Sequence, residues 1–250
     1  MHLRFLDIYG IVDASQIPAI TNMKFLRVHS YTPIVLSKFP NLEWISTSTP
    51  NKLEGIETLN NLKSITVIGG NDVCSQRILD IVGKIPTVDT LQIERSEMED
   101  LSFIRNLPNL RVLILMNNTR LKNIEAISNV SNSLQSVKIF LSSKILSFSY
   151  LSNLKSLEHL YIDSRNKISD LSFINSLPNL KTAVFANTNI LDGNLSPLMK
   201  LEYGRAIPIK RHYYFIQNGR RRAVKIEDFP FSKVNYNNQS IDLWRQIETW

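Results

Sequence analysis

Cysteine is almost absent from this chain: a single one, Cys74, stands among 250 residues. A disulfide framework within the chain is excluded, and so is a cysteine-rich zinc module. Long apolar runs are missing as well. No stretch of about 18 or more uncharged apolar residues occurs, so no membrane-spanning helix is expected. The opening segment, MHLRFLDIYGIVDASQ, lacks the apolar run and small-residue cleavage site of a secretory signal. These absences point to a reducing, cytoplasmic setting. Catalytic signatures are lacking too, with no Gly-rich phosphate loop, no nucleophile elbow and no paired-histidine zinc motif. The four histidines, His2, His29, His159 and His212, have no ligand spacing. The expectation is a non-enzyme with no cofactor, no metal and no small-molecule ligand.

What is present is material for a core. With 43% hydrophobic and 20% charged residues, the chain can bury one large core or two small ones. The net charge of +7 suggests an acidic partner. Internal repetition then decides the fold class. One pattern recurs: apolar, two variable, apolar, one variable, apolar. It reads Leu3–Leu6–Ile8, Met23–Leu26–Val28, Leu42–Ile45–Thr47 and Leu62–Ile65–Val67, then Val88–Leu91–Ile93 and Leu110–Leu113–Leu115. It continues through Leu134–Val137–Ile139, Leu157–Leu160–Ile162 and Leu180–Ala183–Phe185, with a weaker tenth copy from Leu201. The mean period is 22 residues.

Each block alternates, which is strand periodicity. A second apolar series spaced by three follows most blocks, as in Leu101–Ile104–Leu107, Phe148–Leu151–Leu154 and Leu171–Ile174–Leu177. That spacing suits a short helical turn facing the same core. Lone apolar anchors lie between the two series: Leu53, Leu121, Ile145, Ile168 and Ile190. No single repeat buries its own edge, so stacking makes the core. The long fourth interval, NDVCSQRILDIVGKIP, predicts a true helix carrying Val73, Ile78, Ile81 and Val82, stopped by Gly83 and proline, with Cys74 as a small buried residue near its start.

The segments DLSFIRNLPNLRVLILMNN and DLSFINSLPNLKTAVFANT carry a resemblance to leucine-rich repeat proteins of the short-repeat, internalin-like bacterial kind. The resemblance covers residues 1–200. It implies an α/β class, a right-handed solenoid of nine to ten repeats with a concave parallel sheet. The family's asparagine after the strand, which bonds neighbouring backbones, is matched at Asn118. Elsewhere that position holds Gly70, Ser96, Ser142, Thr188 or Pro50, so the ladder is incomplete. The predicted domain layout is a solenoid over 1–201 and a basic capping segment over 202–250, packed as one continuous domain.

Three positions per repeat are expected to face out of the concave sheet. They give Phe5, Asp7 and Tyr9; Phe25, Arg27 and His29; Trp44, Ser46 and Ser48; and Ser64, Thr66 and Ile68. They continue with Thr90, Gln92 and Glu94; Val112, Ile114 and Met116; Ser136, Lys138 and Phe140; His159, Tyr161 and Asp163; and Thr182, Val184 and Ala186. Phe5, Phe25 and Trp44 form an aromatic column, which either meets a partner or packs under its own chain. Val112, Ile114, Met116, Phe140 and Tyr161 form a central apolar cluster, expected to touch a partner. Apolar anchors with scattered charges suit protein binding. Ten strands at about 4.8 Å span roughly 45 Å, enough for about 800 Å² of contact from one side.

No leucine occurs from Glu202 to Asp242, so the regular repeat stops there. Residues 205–225 hold seven basic side chains and no acidic ones: Arg205, Lys210, Arg211, Arg220, Arg221, Arg222 and Lys225. Tyr203, Tyr213, Tyr214 and Phe215 interleave with them. Two strands across a Gln217–Asn218–Gly219 turn are predicted. SIDLWRQIETW predicts a closing helix with Ser240 as its cap. The string Lys210–Arg211–His212–Tyr213 resembles the ending of bacterial leucine-rich repeat proteins encoded near secreted toxins. That resemblance implies an immunity protein acting by occlusion. The alternatives are a scaffold or adaptor binding a host-cell enzyme, or a nucleic-acid binder using the basic segment, since Arg with Tyr can hold phosphate and stack bases. The expected partner is one protein with an acidic contact surface, held by Arg27, Lys138 and a basic ledge of Arg205, Lys210, Arg211, Tyr213, Arg220, Arg221 and Arg222.

Overall fold

The computed structural model describes residues 4–11, 13, 16–69, 74–225 and 228. Val73, Gly70 and the predicted closing helix at 240–250 lie outside the described residues. Ten parallel strands form one sheet in chain order: β1 (Phe5–Gly10), β2 (Phe25–Ser30), β3 (Trp44–Thr47), β4 (Ser64–Ile68), β5 (Thr90–Glu94), β6 (Val112–Met116), β7 (Ser136–Phe140), β8 (His159–Asp163), β9 (Thr182–Ala186) and β10 (Tyr203–Ile207). The register never slips. Leu6 pairs with Leu26, Leu26 with Ile45, Ile45 with Ile65, and so on to Ala183 opposite Gly204. Because side chains alternate, one unbroken register stacks like positions into columns. Two columns face the core and three face out.

The apolar blocks predicted from the repeat are the core. Leu26, Ile45, Ile65, Leu91, Leu113, Val137 and Leu160 are fully buried in one inner column. The return segments close the other side as short 3₁₀ turns, among them Ser102–Asn106, Ser149–Asn153 and Ser172–Ser176. All three apolar series spaced by three are buried, as are the anchors Leu53, Leu121, Ile145, Ile168 and Ile190. A short polar side chain starts these turns. Asp100 Oδ1 accepts from Ser102 N–H, Asn123 from Glu125, Asp170 from Ser172 and Asn194 from Ser196. These bonds satisfy amides that a turn leaves unpaired.

A second set of bonds fastens neighbouring repeats. Asn41, Asn109 and Asn179 each donate their side-chain amide to a backbone carbonyl one repeat earlier, on Thr21, Pro86 and Lys155. After the strands, Asn118 plays the expected ladder role. Its Oδ1 accepts from Ser96 and its Nδ2 donates to Ile93 O at 3.0 Å. Ser142 and Thr188 substitute with hydroxyls. Ser142 Oγ accepts from Asn118 N–H, and Thr188 Oγ1 donates to Ile162 O at 3.4 Å as well as to Ala186 O in its own repeat. In the third repeat Thr49, rather than Pro50, carries the role, accepting from Ser30 N–H at 3.1 Å.

The predicted helix is α1 (Gln76–Val82), with Cys74 fully buried just before it. Gly83 follows it, but for a different reason than a left-handed stop. Its φ is −61°, within ordinary helical space. A Cβ there would sit 2.3 Å from Phe103 O, so the glycine permits a close backbone approach.

The sheet runs past the expected boundary at residue 201, through Ile207. In β10 the core positions are Gly204 and Ala206, which hides the strand from a leucine pattern. Gly204 is needed because Leu198 O would lie 2.3 Å from a Cβ. Tyr213 and Phe215 fill the core there instead. The hairpin is as predicted: β11 (Tyr214–Gln217) pairs antiparallel with β12 (Arg220–Ala223). Asn218 and Gly219 turn between them with φ of 51° and 73°, the left-handed pair such hairpins require.

Candidate functional site

The register places the outward residues as three straight columns. The first runs Phe5, Phe25, Trp44, Ser64, Thr90, Val112, Ser136, His159, Thr182 and Tyr203. The second holds Asp7, Arg27, Gln92, Ile114, Lys138, Tyr161 and Arg205; the third holds Tyr9, His29, Glu94, Met116, Phe140 and Asp163. An open groove of about 770 Å³ follows the first column from Phe5 to His159.

Exposure is uneven along this face. At the N-terminal end Phe5 is 48% exposed, Phe25 44% and Tyr9 77%. Phe25 leans on Trp44, with ring centroids 6.5 Å apart, and Tyr9 stacks on His29 at 4.7 Å. His29 Nδ1 also meets Ser48 Oγ. The central cluster is more enclosed. Phe140 stacks on Tyr161 at 4.8 Å, Gln92 donates to Met116 Sδ, and Val112 is half-buried. Ile114 is 9% exposed and Lys138 4%. Those two, expected to reach a partner, are packed between their neighbours in the second column. By β9, Val184 and Ala186 are buried.

Charges on this face are paired. Arg27 meets Asp7 at 3.5 Å, Glu94 meets Arg95 at 3.2 Å, and Asp163 accepts from Asn187. His159 Nδ1 lies 3.0 Å from Thr182 Oγ1, and burial holds its imidazole below the usual histidine pKa. Burial also pushes the Tyr161 phenol up.

One feature of the groove escapes the repeat pattern: the residue just before each strand. Arg4, Lys24, Glu43, Lys63, Asp89, Arg111, Gln135, Glu158 and Lys181 are joined in order by backbone hydrogen bonds. They make a rim along the groove in which signs largely alternate. Lys24 and Glu43 meet at 2.7 Å, Lys181 and Glu158 at 2.5 Å, and Arg111 donates twice to Gln135 Oε1. The lysine beside each carboxylate holds Glu43 and Glu158 below the usual carboxylate range. The alternation was present in the sequence one period apart, but only stacking brings the signs together.

The basic segment splits between two places. Arg205 lies on the sheet in β10. Lys210, Arg211, Arg220, Arg221 and Arg222 belong to the hairpin region. That hairpin is fastened to the return side, through Tyr214 N–H to Gly193 O and Leu195 N–H to Tyr214 O. It is therefore not a ledge continuous with Arg27 and Lys138. Tyr213, expected to contact a partner, is 2% exposed. Its hydroxyl donates to Thr188 O at 3.2 Å and accepts from Ile190 N–H at 3.3 Å, so it closes the end of the core. Lys210 Nζ donates to Asn189 Oδ1 at 2.6 Å.

Among the described residues, no group of three or more His, Cys, Asp or Glu side chains is placed to hold a metal, and no helix is long and apolar enough to cross a membrane. No family model and no curated protein matches the chain. Solved structures do. TLR13 in complex with ssRNA13 is similar over 74% of this chain, at 17% identity and a TM-score of 0.52; the match spans 28% of that protein. Internalin C2 of Listeria monocytogenes is similar over 71% of this chain and 67% of its own, at 22% identity and a TM-score of 0.45. A leucine-rich repeat protein of Leptospira interrogans is similar over 78% of this chain and 50% of its own, at 16% identity and a TM-score of 0.45. At 17% identity the likeness to TLR13 speaks to fold alone.

Proposed function

From the premise that this chain folds as a leucine-rich repeat solenoid, we propose that it is a non-catalytic, cytoplasmic binding protein that holds one protein partner against its concave face. One observation carries this reading: Phe5, Tyr9 and Phe25 stand exposed in register on the rigid sheet, beside a groove bordered by charge. Large aromatics held on strands lose little freedom on binding and make good anchors. The paired rim charges give the contact a polar border. In its finer form, the partner is a bacterial toxin domain and the solenoid neutralises it by covering its working surface. The resemblance of the 210–213 string supports that form, and the adaptor role is its alternative.

The test is a native pull-down on the wild-type chain beside a Phe5→Asp/Phe25→Asp variant. The expected result is a stoichiometric protein held by wild type and lost by the variant. Undiminished capture by the variant would sink the concave-face reading. Co-expression of the captured protein then separates the roles, since an immunity protein restores growth to cells that the partner alone poisons.

A further inference from the structure

The net charge of this chain is not spread over it. There are 29 basic and 22 acidic side chains. Seven basic and no acidic ones fall between residues 205 and 225, which leaves 22 of each sign in the other 229 residues. The whole of the +7 therefore resides in one short segment, most of it on or beside the β11–β12 hairpin. An open recess of about 460 Å³ is lined there by Gln217, Asn218, Arg220, Arg221 and Arg222.

Three features say what chemistry suits this site. Arg222 already holds a carboxylate: its two terminal nitrogens donate to Asp228 Oδ1 and Oδ2 at 2.8 and 2.9 Å, and Lys225 N–H donates to the same group. Arg220 and Arg221 stand exposed beside it with that same fork geometry available. Second, β12 has a single strand neighbour, β11, among the described residues. Its outer edge offers backbone groups that another extended polypeptide can pair with. Third, Arg221 lies 4.3 Å over the Tyr214 ring, so that ring face is already covered and gives no platform for a nucleobase. Exposed Ile216, opposite Arg221, adds an apolar contact that a side chain can use.

We propose that the outer edge of β12 is a second docking site, separate from the concave face, which takes an acidic extended polypeptide segment as an added strand. Main-chain pairing along 220–223 supplies the register, and Arg220 and Arg221, which point to opposite faces of β12, clamp carboxylates at adjacent positions of the incoming strand, one on each face. Residues 229–250 hold two acidic and two basic side chains, so their composition does not make them an acidic segment.

The probe is an end-capped peptide of about 12 residues in Glu-Glu-Val-Val repeats, which presents carboxylates on both faces and is long enough for one strand. Binding to the full chain is read by fluorescence anisotropy, with hydrogen exchange to locate it. The expected result is saturable binding, new protection of the outward-facing amides of Arg221 and Ala223, and a loss of roughly tenfold or more in Arg220→Glu/Arg221→Glu. The Phe5→Asp/Phe25→Asp variant should bind the peptide as wild type does, so this proposal and the concave-face reading fail separately. The same peptide with its backbone nitrogens methylated keeps the charge but has no amide donor with which to pair as a strand. Equal binding of that peptide would overturn the strand-addition site, as would no binding of the unmethylated peptide. Tighter binding of an oligodeoxythymidylate, protecting the same residues, would overturn it in favour of nucleic acid. Arg220→Gln/Arg221→Gln, which introduces no new charge, repeats the test should the glutamate variant misfold.

Discussion

Asn118 Oδ1 accepts hydrogen bonds from both the backbone N–H and the hydroxyl of Ser96, at 2.9 and 2.7 Å, with all three groups buried. One side chain thereby ties β5 to the turn after β6, and its amide reaches Ile93 O as well. Asn118→Ala strands two donors and one acceptor away from water. Unsatisfied buried groups cost about 1–3 kcal/mol each when nothing relaxes, so a loss of about 3 kcal/mol is expected for the set. Urea unfolding should show a lower midpoint with an unchanged slope. A midpoint equal to wild type would show that water replaces the asparagine.

Gly69 gives a sharper steric prediction. A Cβ at this position would lie 2.0 Å from Arg95 O. The backbone of β5's exit crosses so closely that Gly69 N–H donates to Glu94 O at 2.6 Å. Gly69→Ala must push the two turns apart, at about 3 kcal/mol, the upper range for overpacking. A melting temperature within a degree or two of wild type would refute the close approach.

The columns of this face were legible because strand period and repeat period both hold throughout, so one correct assignment of inward residues fixed every outward one. Exposure along a column was not legible. Ile114 lies in the middle outward column, between Gln92 and Lys138 and with an outward column on either flank, whereas Phe25 lies in the first column at the strand entry, between Phe5 and Trp44, and stays 44% exposed. Burial depends on the column as well as on the neighbours one period away. Tyr213 misled for a similar reason. Its basic surroundings read as surface, but Gly204 and Ala206 leave a space in the core that only a large ring fills. Asn166 was missed because Ser164 inserts one residue after β8. Both Ser164 and Asn166 are buried there, and Asn166 donates to Ile145 O at 3.0 Å.

His159 sets a pH dependence. Burial lowers its pKa in the folded state below the ordinary 6.5. The unfolded chain therefore takes up this proton first as pH falls, and folding stability from this residue is lost as pH drops below about 6.5. His159→Gln, which keeps a polar group near Thr182 Oγ1, should flatten the stability profile across that window. The measurement is the urea midpoint from pH 7.5 down to 5. Parallel curves for wild type and variant would show that other groups carry the dependence. Glu43 and Glu158, with lowered pKa values, contribute in the same direction at lower pH, where their pairs with Lys24 and Lys181 are broken by protonation.

The contrast between the two ends of the face makes the last prediction. Phe5 and Phe25 are nearly half exposed, so Phe5→Asp/Phe25→Asp removes little buried surface. Its change in stability should stay within about 1 kcal/mol. Ile114→Glu puts a carboxylate into a site 9% exposed, beside Gln92 and Lys138 in the same column. Lys138 is itself buried at 4% and offers a cation nearby, which offsets part of the desolvation. A loss of about 2–3 kcal/mol is still expected, because the apolar contacts of isoleucine go as well. Thermal unfolding of the two variants decides whether the enclosed middle of the sheet is scaffold. A melting temperature for Ile114→Glu equal to wild type would mean that Ile114 is open to solvent and belongs to the contact surface with the aromatics.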